Sequence, residues 1–164
     1  MDKYTKSAGF TLVELMITIA ILAIVTALAA PSFSESIRRN KRISCTNQLV
    51  GTLQLARSEA VRRGQTITVT APNGIAQGIT VYRDDNADGD ADSDEIIQLS
   101  GRCNGPDVVV SSGDIEFSYT ADGQTTMASS LAIDICDTET SGESGRKVSV
   151  LVSGVLRSSP FTCS

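Results

Sequence analysis

Histidine and tryptophan are absent from this chain, and aromatic residues make up only 4% of it. Without histidine there is no ordinary general base near neutral pH. The usual activator of a serine or cysteine nucleophile and the commonest transition-metal ligand are missing too. Carboxylates and hydroxyls remain, but no base and nucleophile stand together in a catalytic pattern, so the chain is not read as an enzyme. Scarce aromatics argue against a platform for stacked bases. Positive charge is also in short supply: 14 Lys and Arg stand against 19 Asp and Glu, a net charge of -5. That balance argues against a broad nucleic-acid-binding surface, which needs clustered Lys and Arg. The four cysteines, Cys45, Cys103, Cys136 and Cys163, include no C-x-x-C pair. With no histidine beside them, a zinc site is unsupported. An even count favours disulfides if the domain lies in an oxidising compartment, and three pairings are open.

What the chain does have is one long apolar run, from Phe10 to Phe33, with a single charge in it, Glu14. As a helix, at about 1.5 Å per residue, residues 10–33 span a bilayer core of about 30 Å. A carboxylate near the end of such a helix is costly to bury, which points to a function. A polar leader, residues 1–9, precedes the run and ends in the small pair Ala8-Gly9. A secretory signal places its small residues after the apolar segment. Here they come before it, so the expected cut lies on the cytoplasmic side and leaves the helix on the mature protein.

The pattern Gly9-Phe10-Thr11-Leu12-Val13-Glu14 resembles the class III signal of type IV pilins and of the pseudopilins of type II secretion. The resemblance covers residues 9 to about 33. It implies that a prepilin peptidase cuts between Gly9 and Phe10 and that Phe10 becomes N-methylated. Glu14 is then the fifth residue of the mature chain. Carried over from the family, its role is assembly: the free amine of a neighbouring subunit's Phe10 neutralises the carboxylate. The plainer reading is a glutamate resting at headgroup level.

Beyond Pro31, which kinks or ends a helix, polar and basic residues follow. Arg38, Arg39, Lys41 and Arg42 suit a helix leaving the membrane, either against anionic headgroups or as a solvated face. Leu49, Leu53, Ala56 and Ala60 then fall at i, i+4, i+7 and i+11, one helical stripe. Arg62, Arg63 and Gly64 form a stop signal. A kinked helix is therefore expected over about residues 10–63. After it the period drops to two, and strands are expected at 66–70, 79–83, 95–99, 108–111, 115–119, 131–135 and 147–152. Close turns between them imply an antiparallel arrangement, in one sheet or two. About 130 residues beyond leader and membrane segment suffice for one small domain.

The stretch Leu53-Gln54-Leu55-Ala56-Arg57-Ser58-Glu59-Ala60-Val61-Arg62-Arg63 resembles the helix of the GspH/FimT family. Val81-Tyr82-Arg83-Asp84 and the late Gly154-Val155-Leu156-Arg157 extend the likeness more loosely. The family implies an α+β fold, a long kinked N-terminal helix packed on an antiparallel β head, shaped as a lollipop. The expected organisation is a leader at 1–9, a transmembrane and filament-core helix at 10–33, an amphipathic continuation at 34–63, and a β head at 64–164. In many pilins a bridge ties the C-terminal segment back to a strand, so the resemblance favours Cys136–Cys163, with Cys45–Cys103 as the second pair.

It further implies a minor pilin of the FimT/FimU type that joins or initiates a type IV pilus. Before assembly it sits in the inner membrane with a periplasmic head, then in the fibre or its tip. The partners implied are prepilin peptidase, other minor and major pilins, the inner membrane and the assembly platform. The alternatives are a GspH-type minor pseudopilin of type II secretion and a DNA-binding uptake pilin. The last rests on a Gly-Arg-x-Arg element of some FimT-type pilins. Here Gly154 and Arg157 match, but Val155 replaces the first arginine.

The Asn/Asp/Gly loop into which residues 81–84 lead continues that likeness, and it holds a constellation of its own. Asp84, Asn86, Asp88, Gly89, Asp92 and Glu95 read D-x-N-x-D-G-x-x-D-x-x-E, the spacing of an EF-hand calcium loop. Asp84, Asn86, Asp88, Asp92 and Glu95 are the candidate oxygen donors. The flanks read as strands, not helices. The competing reading is an Asp-rich hairpin turn.

Overall fold

A computed structural model describes residues 10–103, 109–111, 113–136 and 144–163; of residues 28–32, 109, 111 and 144 it describes the backbone alone. The leader, with Gly9, lies outside the described residues. So do Val108 at the start of one expected strand and Ser112 in the turn after it.

Helix α1 runs from Leu12 to Arg63. Its backbone is helical throughout, Pro31 included. It opens on a cap that the sequence pattern T-x-x-E encodes: the Glu14 backbone N–H donates to Thr11 Oγ1 at 3.2 Å. Glu14 Oε2 reaches back to the Thr11 N–H at 3.5 Å, a long and weak return leg. At the other end, Gln65 N–H donates to the Ala60 carbonyl, and Gly64 takes the left-handed conformation. Together they close the helix in a Schellman turn.

The chain divides between Ile37 and Arg38 into two compact units. In the first, Leu12, Val13, Ile17, Ile21, Ile24 and Val25 are all exposed. An apolar surface of this extent marks contact with lipid or with other chains. Among the described residues no helix is long and apolar enough to cross a membrane. The side chains of residues 28–32, inside the apolar run, are not among those residues.

In the second unit the predicted stripe is the core-facing edge of α1: Leu49, Leu53, Ala56 and Ala60 are all buried. They pack with Ile67, Val69, Val81 and Phe117 of one sheet and Ile133, Ile135, Val148 and Val150 of another. The first sheet comprises β1 (Ile67–Ala71), β2 (Thr80–Tyr82), β3 (Ile96–Leu99) and β5 (Ile115–Tyr119), in the order β3-β2-β1-β5. The second comprises β4 (Val109–Ser111), β6 (Leu131–Cys136), β7 (Ser144–Val150) and β8 (Leu156–Thr162), in the order β4-β6-β7-β8. All the pairings are antiparallel. The alternating buried and half-buried pattern of β1 follows from strand pleating, which turns successive side chains to opposite faces.

Strand β8 escaped the sequence reading. Ser158, Ser159 and Pro160 break its apolar pattern, and proline argues against an interior strand. β8 is an edge strand pairing only with β7, where Pro160 stands opposite Arg146, and an edge is where a sheet tolerates proline.

Candidate functional site

Two disulfides tie the second unit together, with the pairing the resemblance favoured. Cys45, on α1, joins Cys103, just beyond the β3 region. Gln48 Nε2 supports this tie by donating to the Gly101 carbonyl at 3.0 Å. Cys136 at the end of β6 joins Cys163 after β8, and the chain contains no free cysteine.

The A-R-S-E-A segment of α1 does structural work. Arg57 Nε donates to the Gly123 carbonyl at 2.8 Å. Gly123 lies in the turn after β5, and that turn meets the turn between β7 and β8. Thr125 N–H donates to the Val152 carbonyl at 2.9 Å, and the Thr125 hydroxyl reaches the same oxygen. Gly154, buried at φ +76°, sits against them: a Cβ there would lie 1.9 Å from the Gly123 carbonyl oxygen and 3.0 Å from Arg57 Nε. The guanidinium thus ties the helix to the turn after β5, and Thr125 ties that turn to the one between β7 and β8. Glu59, two residues on, pairs instead with Arg62 and Arg63 at the exposed helix end. Hydrogen bonds from those two side chains hold its carboxyl below the usual range.

Arg157 begins the exposed face of β8, opposite Ser149. Ser158 and Ser159 follow it, so the strand presents one cation and not a basic row. Gly154, the other matching residue of that element, is committed to the Arg57 turn. The two do not form a joint site.

The acid loop joins β2 to β3 and is pinned at its base, where Arg83 N–H donates to the Glu95 carbonyl at 3.1 Å. Tyr82, buried in β2, donates its hydroxyl to the Gly89 carbonyl at 3.0 Å. Asp84 accepts from the N–H groups of Ala87 and Gly89. Asn86 Oδ1 accepts from Asp88 N–H, and Asp88 Oδ1 from Asp90 N–H. Asn86 Nδ2 bridges the carboxylates of Asp88, at 2.8 Å, and Asp92, at 3.3 Å. Glu95 is only 5% exposed. Its Oε1 accepts from the N–H groups of Asp85 and Asn86. Asp92 is pushed above its ordinary carboxylate pKa, first by the charge of Asp88 and then by partial desolvation. Burial, followed by the charges of Glu116 and Asp84, raises the Tyr82 phenol. Among the described residues no three Asp, Glu or Cys side chains are already arranged around one metal position.

Sequence reasoning singled out Glu14 but missed Thr11 beside it, although T-x-x-E was there to be read. It also gave Arg57 no role beyond a motif match. Only the fold brings residues 57, 123 and 154 together.

The model of the family described as type II transport protein GspH matches residues 45–155. That span begins at the α1 cysteine and ends just past the Gly154 turn. The prokaryotic N-terminal methylation motif matches residues 4–30. Among solved structures, the fold is similar to two crystal forms of the Pseudomonas aeruginosa type IV minor pilin FimU, at 22% identity in both. The first superposes with a TM-score of 0.63, covering 77% of this chain and 97% of that one. The second gives 0.57, with 74% and 98% covered.

Proposed function

This chain belongs to the GspH family, and on that premise we propose that it is a structural subunit, a minor pilin that joins or initiates a type IV pilus. The observation that carries the reading is the pairing of a methylation motif at residues 4–30 with a GspH domain at 45–155 in a single chain. Prepilin peptidase cuts between Gly9 and Phe10, and Phe10 is methylated. The apolar part of α1 lies in the inner membrane with the head in the periplasm, and then enters the filament. Packing of apolar helix surfaces drives assembly, guided by Glu14 and a neighbour's terminal amine. The other pilins and the assembly platform are its partners. The exposure of Leu12, Ile17, Ile21 and Ile24 supports this, since such a surface needs lipid or helices around it.

The family's description favours a second reading, a minor pseudopilin of type II secretion. Tagged chain is followed in the cell to separate the two. Recovery in sheared surface filaments, with a methylated Phe10 terminus by mass spectrometry, supports the pilus reading. Retention in the cell envelope, with loss of an exported protein when the chain is deleted, supports the secretion reading. An unprocessed N-terminus overturns both.

A further inference from the structure

We infer that the β2–β3 connection is a calcium site, built on the EF-hand spacing but carried by a β-hairpin, with Asp84, Asn86, Asp88 and Glu95 as side-chain ligands, the Asp90 carbonyl as a backbone ligand, and Asp92 close by or acting through water. The spacing alone is an acidic turn. The second observation is Glu95. It is 5% exposed, its Oε1 lies against the amides that open the loop, and its Oε2 is buried with no hydrogen-bond partner. A carboxylate oxygen desolvated without a donor is costly. In a twelve-residue calcium loop the last position is a glutamate that gives both oxygens to the ion. Glu95 holds that position relative to Asp84. Gly89, at φ +84°, stands at the sixth, where such loops turn sharply.

Three of the loop's oxygen-bearing side chains, Asn86, Asp88 and Asp92, already face one another. Asn86 Nδ2 lies between the Asp88 and Asp92 carboxylates, a partial positive charge between two negative ones. Calcium in that place takes over the bridging, and rotation of the Asn86 amide presents Oδ1 to it. This converts an arrangement lacking three convergent carboxylates into one with six or more oxygens, the number that calcium requires. The oxygens are hard donors, and a set of six or more of them suits calcium better than the smaller, strictly octahedral magnesium. The result is a clamp on the β2–β3 hairpin at the edge of the first sheet.

The test uses the full chain in detergent. Tyr82, bonded to the Gly89 carbonyl, is placed to sensitise terbium, a calcium mimic. Tyrosine-excited terbium emission should appear and be displaced by calcium, with magnesium at least tenfold weaker. Saturating calcium should raise Tm by on the order of 5–10 °C over chelator. Glu95→Gln keeps an oxygen for the loop amides but loses the charge, and should weaken calcium at least tenfold. Asp88→Asn, on the exposed side, should do the same and guards against a folding defect at Glu95. Equal Tm in millimolar calcium and in chelator overturns the inference, as does terbium binding unaltered in both variants.

Discussion

Arg57 of α1 donates from Nε to the carbonyl oxygen of Gly123 at 2.8 Å, and Gly154 leaves the space that lets it do so. This contact stands where the two sheets meet, because the turn after β5 and the turn after β7 come from different sheets. Gly154→Ala places a Cβ on a carbonyl oxygen and puts alanine at positive φ. Left-handed strain and overpacking together should cost about 2–5 kcal/mol. Arg57→Lys, which keeps the charge but loses the Nε geometry, should cost about 1–2 kcal/mol. Urea denaturation checks both. A Gly154→Ala chain as stable as wild type would show that the turns separate freely.

The two bridges stabilise to different degrees. Cys136–Cys163 closes 27 residues and Cys45–Cys103 closes 58. In the chain-entropy model these are worth about 3.5 and about 4 kcal/mol. The double variant Cys45→Ser, Cys103→Ser should therefore lose slightly more stability than Cys136→Ser, Cys163→Ser. Non-reducing peptide maps of the wild type should show only the two native pairs.

The helix stripe, the stop at Gly64 and most strand positions were legible because each is a local pattern: periods of 3.6 or 2, or a residue with one conformational use. Residues 49, 53, 56 and 60 needed only their spacing to be placed in the core. The sequence reading located the acid loop for the same reason, since all its donors lie within twelve positions. β8 was not legible because an edge strand tolerates serine and proline, so its pattern is that of a loop. Arg57 was not legible as a tie between turns because its partner is 66 residues away and is a backbone carbonyl, which no side-chain identity announces.

Tyr119 sets an alkaline limit. Its side chain is buried, and its hydroxyl has no partner among the described residues. Burial pushes its pKa up to about 12, opposed by the charge of Arg57. The unfolded chain releases this proton near pH 10, while the folded chain holds it to about 12. Between those values the unfolded state binds fewer protons, so stability falls as pH rises. The loss approaches about 3 kcal/mol and is absent below pH 10. Tyr119→Phe keeps the edge-on contact with Phe117, whose ring centroid lies 5.4 Å away. It should match or exceed wild-type stability at pH 7 and flatten the decline above pH 10. An unchanged alkaline decline in the variant would assign it to other groups.

Two roles of Glu14 are to be separated: the observed cap on α1 with Thr11 and the proposed carriage of charge into assembly. Glu14→Val removes both, and on insertion scales it eases entry into a bilayer by about 3 kcal/mol. Membrane insertion and leader cleavage should therefore persist while incorporation into filaments falls. Glu14→Gln keeps a side-chain oxygen for the Thr11 N–H, as glutamine does in capping boxes, but has no charge. Thr11→Val has the charge but loses the hydroxyl that accepts from Glu14 N–H. If the carboxylate answers a neighbour's terminal amine, Gln should fail as Val does, while Thr11→Val should assemble close to normally, with a cap loss of about 1 kcal/mol borne by the packed helix. The measurement is the amount of each variant in sheared filaments relative to its amount in the membrane. Normal incorporation of Glu14→Gln, with failure of Thr11→Val, would make the residue a helix cap and remove the charge from the mechanism.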